Sequence, residues 1–218
     1  SFRYFSLEPE LYIESEQMKP LIAFLILSLF QCSGKTEHET PSTTTTRQVG
    51  GPCDGCDLLY EGQPPLATLV PTLELASGSE PGDQLVIKGK VVQIDGKTPA
   101  ENVILYIYHT DENGRYSPGK QQTLGLRHGH LRGWLKTGAD GHFTFKTIRP
   151  AAYPESKFPA HIHIFVKETD KNAYYIDEVR FLDDPKLTTE ERNKAEQRVG
   201  DLNIPLEIDN SCVWQGNL

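Results

Sequence analysis

The amino-acid sequence predicts an all-β fold, a β-sandwich of short, mostly antiparallel strands with irregular loops and a short C-terminal helix. The first basis is a period-two alternation of apolar residues, which turns one face of each strand toward a core. Two successive runs have this alternation, with apolar residues at Leu85, Ile87, Val91 and Ile94 and then at Val103, Leu105 and Ile107. The second basis is a series of turn signals between the runs, at residues 95–97, 113–114 and 139–141. Many short strands with such turns are typical of a sandwich or barrel.

The elements that follow are two more strands and one helix. Residues 142–145 read HFTF directly after an Asp-Gly turn, and residues 158–166 read FPAHIHIFV. The helix is predicted from Thr188 to about Arg198, because residues 188–192 read TTEER and have the Thr-x-x-Glu spacing of a capping box.

Length and charge limit the number of domains and the class of partner. The chain has 218 residues, of which 37% are hydrophobic, and this suits one ordinary domain with tails. The formal net charge is -8, and the sequence contains no block of Lys and Arg. A phosphate backbone therefore has no complementary surface, and a nucleic-acid partner is excluded.

The N-terminal segment resembles a bacterial lipoprotein signal. Met18 is the only methionine, Lys19 follows it, residues 21–30 are apolar apart from Ser28, and Cys32 follows this run after Gln31. A run of ten residues is too short to span a bilayer. The competing interpretation is a short buried helix.

The resemblance implies a processed N-terminus and a lipid on Cys32. Residues 1–17 are then an upstream extension from a misplaced start, 18–31 the signal peptide, 32–50 a flexible Ser/Thr-rich tether and 51–218 the folded domain. The expected location is the cell envelope, on the periplasmic or outer-membrane side, with the membrane reached through the lipidated Cys32.

Three further cysteines are expected to form one disulfide. In an oxidising compartment, the pair in residues 51–57, GPCDGCD, reads as a disulfide element rather than as reduced thiols. Either Cys53 pairs with Cys56, or one of them holds the C-terminal tail through Cys212.

His161 and His163 are the first candidate metal ligands. Residues at i and i+2 of a strand point to the same face, so both imidazoles can hold one metal ion. The plainer alternative is a solvent-facing pair whose neighbours Ile162 and Ile164 pack inward.

Three short motifs in a fixed order resemble the signature of the intradiol catechol and protocatechuate dioxygenases. Residues 114–117 read GRYS, 149–154 read RPAAYP and 159–163 read PAHIH, within a similarity that extends from about residue 83 to residue 184. The resemblance implies a single non-haem ferric ion held by Tyr116, Tyr153, His161 and His163.

The resemblance also implies the reaction and the role of Tyr153. An ortho-dihydroxy aromatic chelates the metal and displaces the tyrosinate that matches Tyr153, and this residue can then act as a local base. O2 attacks the bound ring, which is cleaved between the two hydroxyl-bearing carbons. The expected partners are therefore a small catechol-type diol and O2, and the oligomeric state is left open.

The pocket departs from the family pattern at several positions. Phe158 stands where the family has an arginine before the histidine motif, and Glu178 approximately matches a family glutamine. The basic cluster of residues 127–132, RHGHLR, is a candidate replacement for the arginine, with Arg127 and His130 as catalytic residues. The alternative interpretation of residues 127–132 is a solvated segment that leads from a loop into a strand.

Two other functions compete with the enzyme hypothesis. The first is a non-catalytic envelope lipoprotein that binds a phenolic or carbohydrate ligand on the same sandwich. The second is a structural envelope protein without a metal.

Overall fold

The computed structural model describes residues 11–13, 53, 55–193, 203–209 and 212–218, and these form two sheets of six strands each. The strands are β1 (Leu11–Ile13), β2 (Thr72–Glu74), β3 (Gln84–Gln93), β4 (Ile104–His109), β5 (Arg132–Lys136), β6 (His142–Ile148), β7 (His161–Lys167), β8 (Tyr174–Tyr175), β9 (Val179–Phe181), β10 (Asn203–Ile204), β11 (Glu207–Ile208) and β12 (Trp214–Asn217). The helices are α1 (Thr189–Asn193) and short 3-10 turns at Cys56–Leu59, Leu66–Thr68 and Leu126–His128.

The two sheets have mixed topology around antiparallel centres. The first has the order β11-β12-β3-β6-β2, with β1 also paired to β3, and its centre is the antiparallel pair β3 and β6. The second has the order β10-β9-β7-β4-β5, with β8 also paired to β7, and its centre is the antiparallel pair β7 and β4. The all-β prediction is confirmed.

The core lies between the inner faces of the two sheets. It contains most of the residues that the alternation predicted, namely Leu85, Ile87, Val91, Val103, Leu105 and Ile107. Ile94 is the exception: it is 48% exposed, because β3 ends at Gln93. Phe143, Phe145, Ile162 and Ile164 join the same core from β6 and β7. Removing one such side chain from water contributes roughly 1.5–3 kcal/mol, so this face decides the register of each strand.

The outer face of the second sheet is also covered. Strand β4 is buried at every position, because Tyr106 and Tyr108 on its outer side pack against Leu59 and Phe165. Leu59 belongs to the segment that follows the cysteine pair, and the Trp134 indole N–H donates to its carbonyl. The alternation of apolar residues predicts only the inner face of β4. It does not show that the outer face of this strand is buried as well.

The cysteine pairing is decided in favour of the local disulfide. Cys53 is bonded to Cys56, and the thiol of Cys212 is free and exposed. Both bridged cysteines pack at the edge of the aromatic cluster on the outer face of the second sheet.

The predicted capping box is present at the start of α1. The Glu191 N–H donates to the Thr188 hydroxyl oxygen, and the Thr188 N–H donates to the Glu191 carboxylate. The structure describes α1 from Thr189 to Asn193, and the predicted continuation to Arg198 lies outside the described residues.

Most of the predicted N-terminal organisation lies outside the described residues. This applies to the signal peptide at 18–31, to Cys32 and to the tether. Within the predicted extension at 1–17, β1 is described and pairs in parallel with β3, with Leu11 opposite Val91. Among the helices that the structure describes, none is long and apolar enough to cross a bilayer.

His109 ends β4 inside the protein as a neutral imidazole. Its Nδ1 lies 2.8 Å from the Thr110 carbonyl oxygen, so this nitrogen carries the proton and donates. Its Nε2 then accepts from the Thr147 hydroxyl at 2.6 Å. Burial lowers the pKa of His109 to about 4.

We expect His109 to make the fold acid-sensitive between about pH 6.5 and pH 4. The unfolded histidine binds a proton near its ordinary pKa of 6.5, whereas the folded one binds it near 4. The contribution of His109 to the free energy of unfolding is therefore fully present above pH 6.5. It is lost as the pH falls to about 4, and the total loss is roughly 3 kcal/mol. Urea unfolding of wild type and His109→Gln at both ends of this range measures the loss. An equal loss in the two proteins contradicts the prediction.

Candidate metal centre

Strand β7 presents both candidate histidines on one face. His161 and His163 are half-buried on the outer side, while Ile162 and Ile164 between and beyond them are fully buried in the core. The two Nε2 atoms lie 3.1 Å apart, so both rings point toward one place.

The two imidazoles differ in whether Nδ1 has a hydrogen-bond partner. Nδ1 of His161 donates to the Pro159 carbonyl at 2.8 Å, which leaves the Nε2 lone pair directed toward the site. Nδ1 of His163 is buried and has no hydrogen-bond partner within the described part of the chain.

Two tyrosines complete the donor set from separate loops. Tyr116 lies on the loop after β4, and Tyr153 lies on the loop between β6 and β7. Their hydroxyl oxygens are 2.7 Å apart, and the Tyr153 oxygen is 3.1 Å from Nε2 of His161. The structure thus brings together the four side chains that the sequence predicts, in a chain of contacts from Tyr116 to His163.

The loops that carry Tyr116 and Tyr153 are in direct backbone contact. Gly114 has a φ of 71° and lies against Ala152, such that a β-carbon at residue 114 would overlap the Ala152 carbonyl. Glycine is the residue that meets both demands, a left-handed backbone and a close approach. This contact fixes the separation of the two tyrosines.

Asp111 shapes the turn that precedes Tyr116. Its Oδ1 accepts the N–H groups of Asn113 at 2.9 Å and Arg115 at 3.0 Å, and its Oδ2 accepts the Ser117 hydroxyl. Burial acts to raise the pKa of Asp111, but these donors hold it below its ordinary value. The ionised carboxylate therefore closes the turn.

Without a cation, both phenols of the site are protonated at neutral pH, and the His163 imidazole is neutral. Burial raises the pKa of Tyr116 and of Tyr153, and it lowers the pKa of His163 to about 3. The hydrogen bond with Tyr116 acts to lower the pKa of Tyr153, but burial outweighs it. In the described residues no group of three His, Cys, Asp or Glu could hold a metal, so any metal here depends on the phenols.

Glu178 adds a negative charge beside the histidines. Burial acts to raise its pKa, but the Tyr175 hydroxyl, its own N–H and the nearby His163 and His161 hold that pKa below the ordinary value. A carboxylate therefore stands where the family resemblance implies a neutral glutamine.

Arg127 and His130, the two candidate catalytic residues of the basic cluster, lie on the segment between β4 and β5. His130 donates from Nδ1 to the Ser117 carbonyl at 2.7 Å, and its Nε2 contacts Glu80 at 2.8 Å, so both nitrogens are engaged. Burial acts to lower the pKa of His130, but Ser117 and Glu80 raise it overall. Arg127 is exposed on the 3-10 turn, where its charge acts on Tyr108 and His128.

Phe158 is turned away from the protein. Its side chain is 67% exposed, although it stands only three residues before His161. The position that carries the arginine in the family pattern therefore supplies a solvent-facing ring in this chain.

One residue at the site, Tyr108, is not among the candidate site residues of the sequence. It lies in β4, and its ring stacks on His163. The alternation of β4 could have indicated this, because it places Tyr106 and Tyr108 together on the face opposite to Leu105 and Ile107.

A separate cleft of about 290 Å³ lies at the other end of the second sheet. Tyr60, Ile104 and Lys167 are among the residues that line it, and none of the four donor residues does. The candidate metal centre lies at the opposite end of the sheet, where β7 begins at His161.

Comparison with known proteins links this chain to one family. A protein-family model described as Dioxygenase matches residues 67–202, more than half of the chain. Catechol 1,2-dioxygenase 2 of Acinetobacter lwoffii is 31% identical over 108 residues, which are 42% of this chain and 38% of that protein. The 6-chlorohydroxyquinol 1,2-dioxygenase of Cupriavidus pinatubonensis is 28% identical over 158 residues, 65% of this chain and 52% of that protein.

The chain spans about half or less of the length of these curated relatives. A solved structure covers more of it: the dioxygenase domain of a dioxygenase carbohydrate-binding protein fusion from Streptomyces sp. SirexAA-E. That domain is similar with a TM-score of 0.54 and 25% identity, over 69% of this chain and 86% of that chain.

Proposed function

We propose that this chain, which belongs to the intradiol dioxygenase family, is a non-haem iron(III) enzyme that cleaves a catechol-type ring with O2. One observation carries the proposal. Two phenol oxygens and two imidazole nitrogens, from three separate segments, meet at distances of 2.7 to 3.1 Å.

The donor set fits a ferric ion. Donor atoms that share one metal at bond lengths of roughly 2.0–2.2 Å are themselves separated by roughly 3 Å, close to the separations in the site. Two phenolates and two imidazoles suit a hard trivalent cation. Burial raises the pKa of Tyr116 and Tyr153, so their ionisation requires a strongly Lewis-acidic partner.

The four side chains would bind the metal from one strand and two loops. His161 and His163 would bind from the rigid strand β7, and Tyr116 and Tyr153 from the two loops joined at Gly114. Iron(III), when bound, would supply the Lewis acidity that binds both oxygens of an ortho-diol and activates its ring for O2. Tyr108 and Tyr175 pack against the His163 ring.

Tyr153 is the residue that we expect to move a proton. Its hydroxyl oxygen lies 2.7 Å from the Tyr116 oxygen and 3.1 Å from Nε2 of His161, between the other phenol and the histidine pair. When the diol enters, the phenolate oxygen of Tyr153 would take the proton of one substrate hydroxyl and swing away from the site. The ionised carboxylate of Glu178 would favour protonation of the Tyr153 phenolate, because its negative charge acts to raise the pKa of Tyr153.

The test is the colour and the oxygen uptake of purified protein. Tyrosinate bound to iron(III) absorbs visible light, so protein purified with iron is expected to be burgundy. Oxygen consumption with a panel of catechols, chlorocatechols and hydroxyquinols then tests the reaction. Colour with uptake supports the enzyme, colour without uptake supports the ligand-binding protein, and a colourless protein without iron overturns the proposal.

We also propose that the protein is anchored to the cell envelope through a lipid on Cys32, and Cys32→Ala tests this. The variant is expected in the soluble fraction or as an unprocessed precursor, because several acyl chains on one terminus anchor stably. Cys212→Ala is the matched control, since Cys212 is the free exposed thiol of the folded domain. Fatty-acid labelling that persists in Cys32→Ala would show that the assignment is wrong.

A further inference from the structure

His163 lacks the support that a metal-bound histidine ordinarily has. Such a histidine usually donates its second ring N–H to a carbonyl or carboxylate, which fixes the orientation of the ring. His161 has this partner in Pro159, whereas Nδ1 of His163 is buried without one among the residues that the structure describes. Another contact must therefore fix the His163 ring.

That contact is a stack of three rings on the outer side of the second sheet. The Tyr108 ring lies 4.6 Å from the His163 ring at an interplanar angle of 15°. It also lies 3.6 Å from the His128 ring at 4°. Because two rings that stack this closely on one phenol cannot share a face, Tyr108 is held between the two histidines.

The far end of the stack is itself fixed. Nδ1 of His128 lies 2.9 Å from the Tyr106 hydroxyl, and Tyr106 is fully buried. Burial, with the charges of Arg132 and Arg127, lowers the pKa of His128 to about 4, so His128 is neutral at pH 7. The stack is thereby joined to the aromatic cluster beneath the disulfide segment.

We propose that Tyr108, backed by His128, is the positioning residue that orients His163 toward the metal, in place of the missing hydrogen bond. The stack acts through ring-to-ring contact and not through the Tyr108 hydroxyl. Tyr108 also contacts the Tyr116 ring at 5.9 Å, so it touches one histidine and one tyrosine of the site. This inference rests on the proposed function, because it requires that the site binds iron.

The test is iron affinity, measured by competition with a chelator, in two pairs of variants. Tyr108→Phe keeps the ring and is expected to retain wild-type affinity, whereas Tyr108→Leu is expected to bind iron at least about tenfold more weakly. His128→Ala is expected to weaken binding in the same direction, and His128→Phe, which keeps a stacking ring, is expected to restore it. The second pair keeps the inference testable if Tyr108→Leu does not fold.

Phe143→Leu is the control for a general loss of packing. Phe143 is a buried ring of the other sheet that stacks on Phe145, so its loss perturbs the core without touching the site. Equal loss of iron affinity in Phe143→Leu and Tyr108→Leu, or wild-type affinity in Tyr108→Leu, overturns the positioning role. Failure of wild type to bind iron would instead overturn the proposed function.

Discussion

Loss of either strand histidine is expected to abolish iron binding and visible colour, while Tyr153→Phe keeps part of the iron with a shifted and weaker band. His161 and His163 present their Nε2 atoms 3.1 Å apart from a rigid strand. Alanine at either position removes one imidazole from the set of four donors. Tyr153 is the ligand that we expect to leave during turnover, so its loss is tolerated better.

Elemental analysis and visible spectra of the purified variants measure this asymmetry. His142→Ala is the matched control, because His142 is an exposed histidine at the start of β6 whose ring contacts Asp140. Stoichiometric iron in His161→Ala and His163→Ala would show that the site is wrong. Equal iron loss in Tyr153→Phe would remove the distinction between the ligands.

Gly114→Ala is expected to destabilise the fold by roughly 2–4 kcal/mol and to reduce iron affinity at least about tenfold. The first effect follows because the residue has a φ of 71° and its new β-carbon would overlap the Ala152 carbonyl. The second follows because relief of that overlap separates the loops of Tyr116 and Tyr153.

Gly62→Ala separates the two causes. Gly62 has a similar φ of 76°, but a β-carbon there would meet its nearest atom at an ordinary 3.6 Å. This control therefore has the backbone strain without the overlap and without any contact to the site. Thermal unfolding and iron titration of both variants are the measurements. Equal effects in the two variants would exclude the loop contact as the cause.

The fold was predictable from the sequence because burial of one strand face leaves a local signal. Leu105 and Ile107 alternate with the outer residues of β4, and both inner side chains are fully buried. The turn at Gly114 and the capping box at Thr188 are equally local, since their hydrogen bonds join residues a few positions apart. Local geometry of this kind is encoded in short sequence patterns.

The candidate ligands were predicted in another way. The shared face of His161 and His163 follows from the period of a strand, but neither Tyr116 nor Tyr153 follows from periodicity. Both came from the order of three motifs that resemble one family, and the structure brings their oxygens within 2.7 Å. Whether these atoms bind iron stays a prediction for the experiments above.

By itself, the sequence determined the all-β class, the faces of the strands, the capping box and the resemblance to one family, since each depends on residues close in the chain or on their order. Only the tertiary structure decided that Cys53 pairs with Cys56, that His130 contacts Glu80, and that Tyr108 lies between His128 and His163. For each of these residues, the local sequence pattern allows several contact partners equally well. The packing of the two sheets and of the covering segment selects one partner, because burial stabilises only the arrangement in which all the surfaces fit at once.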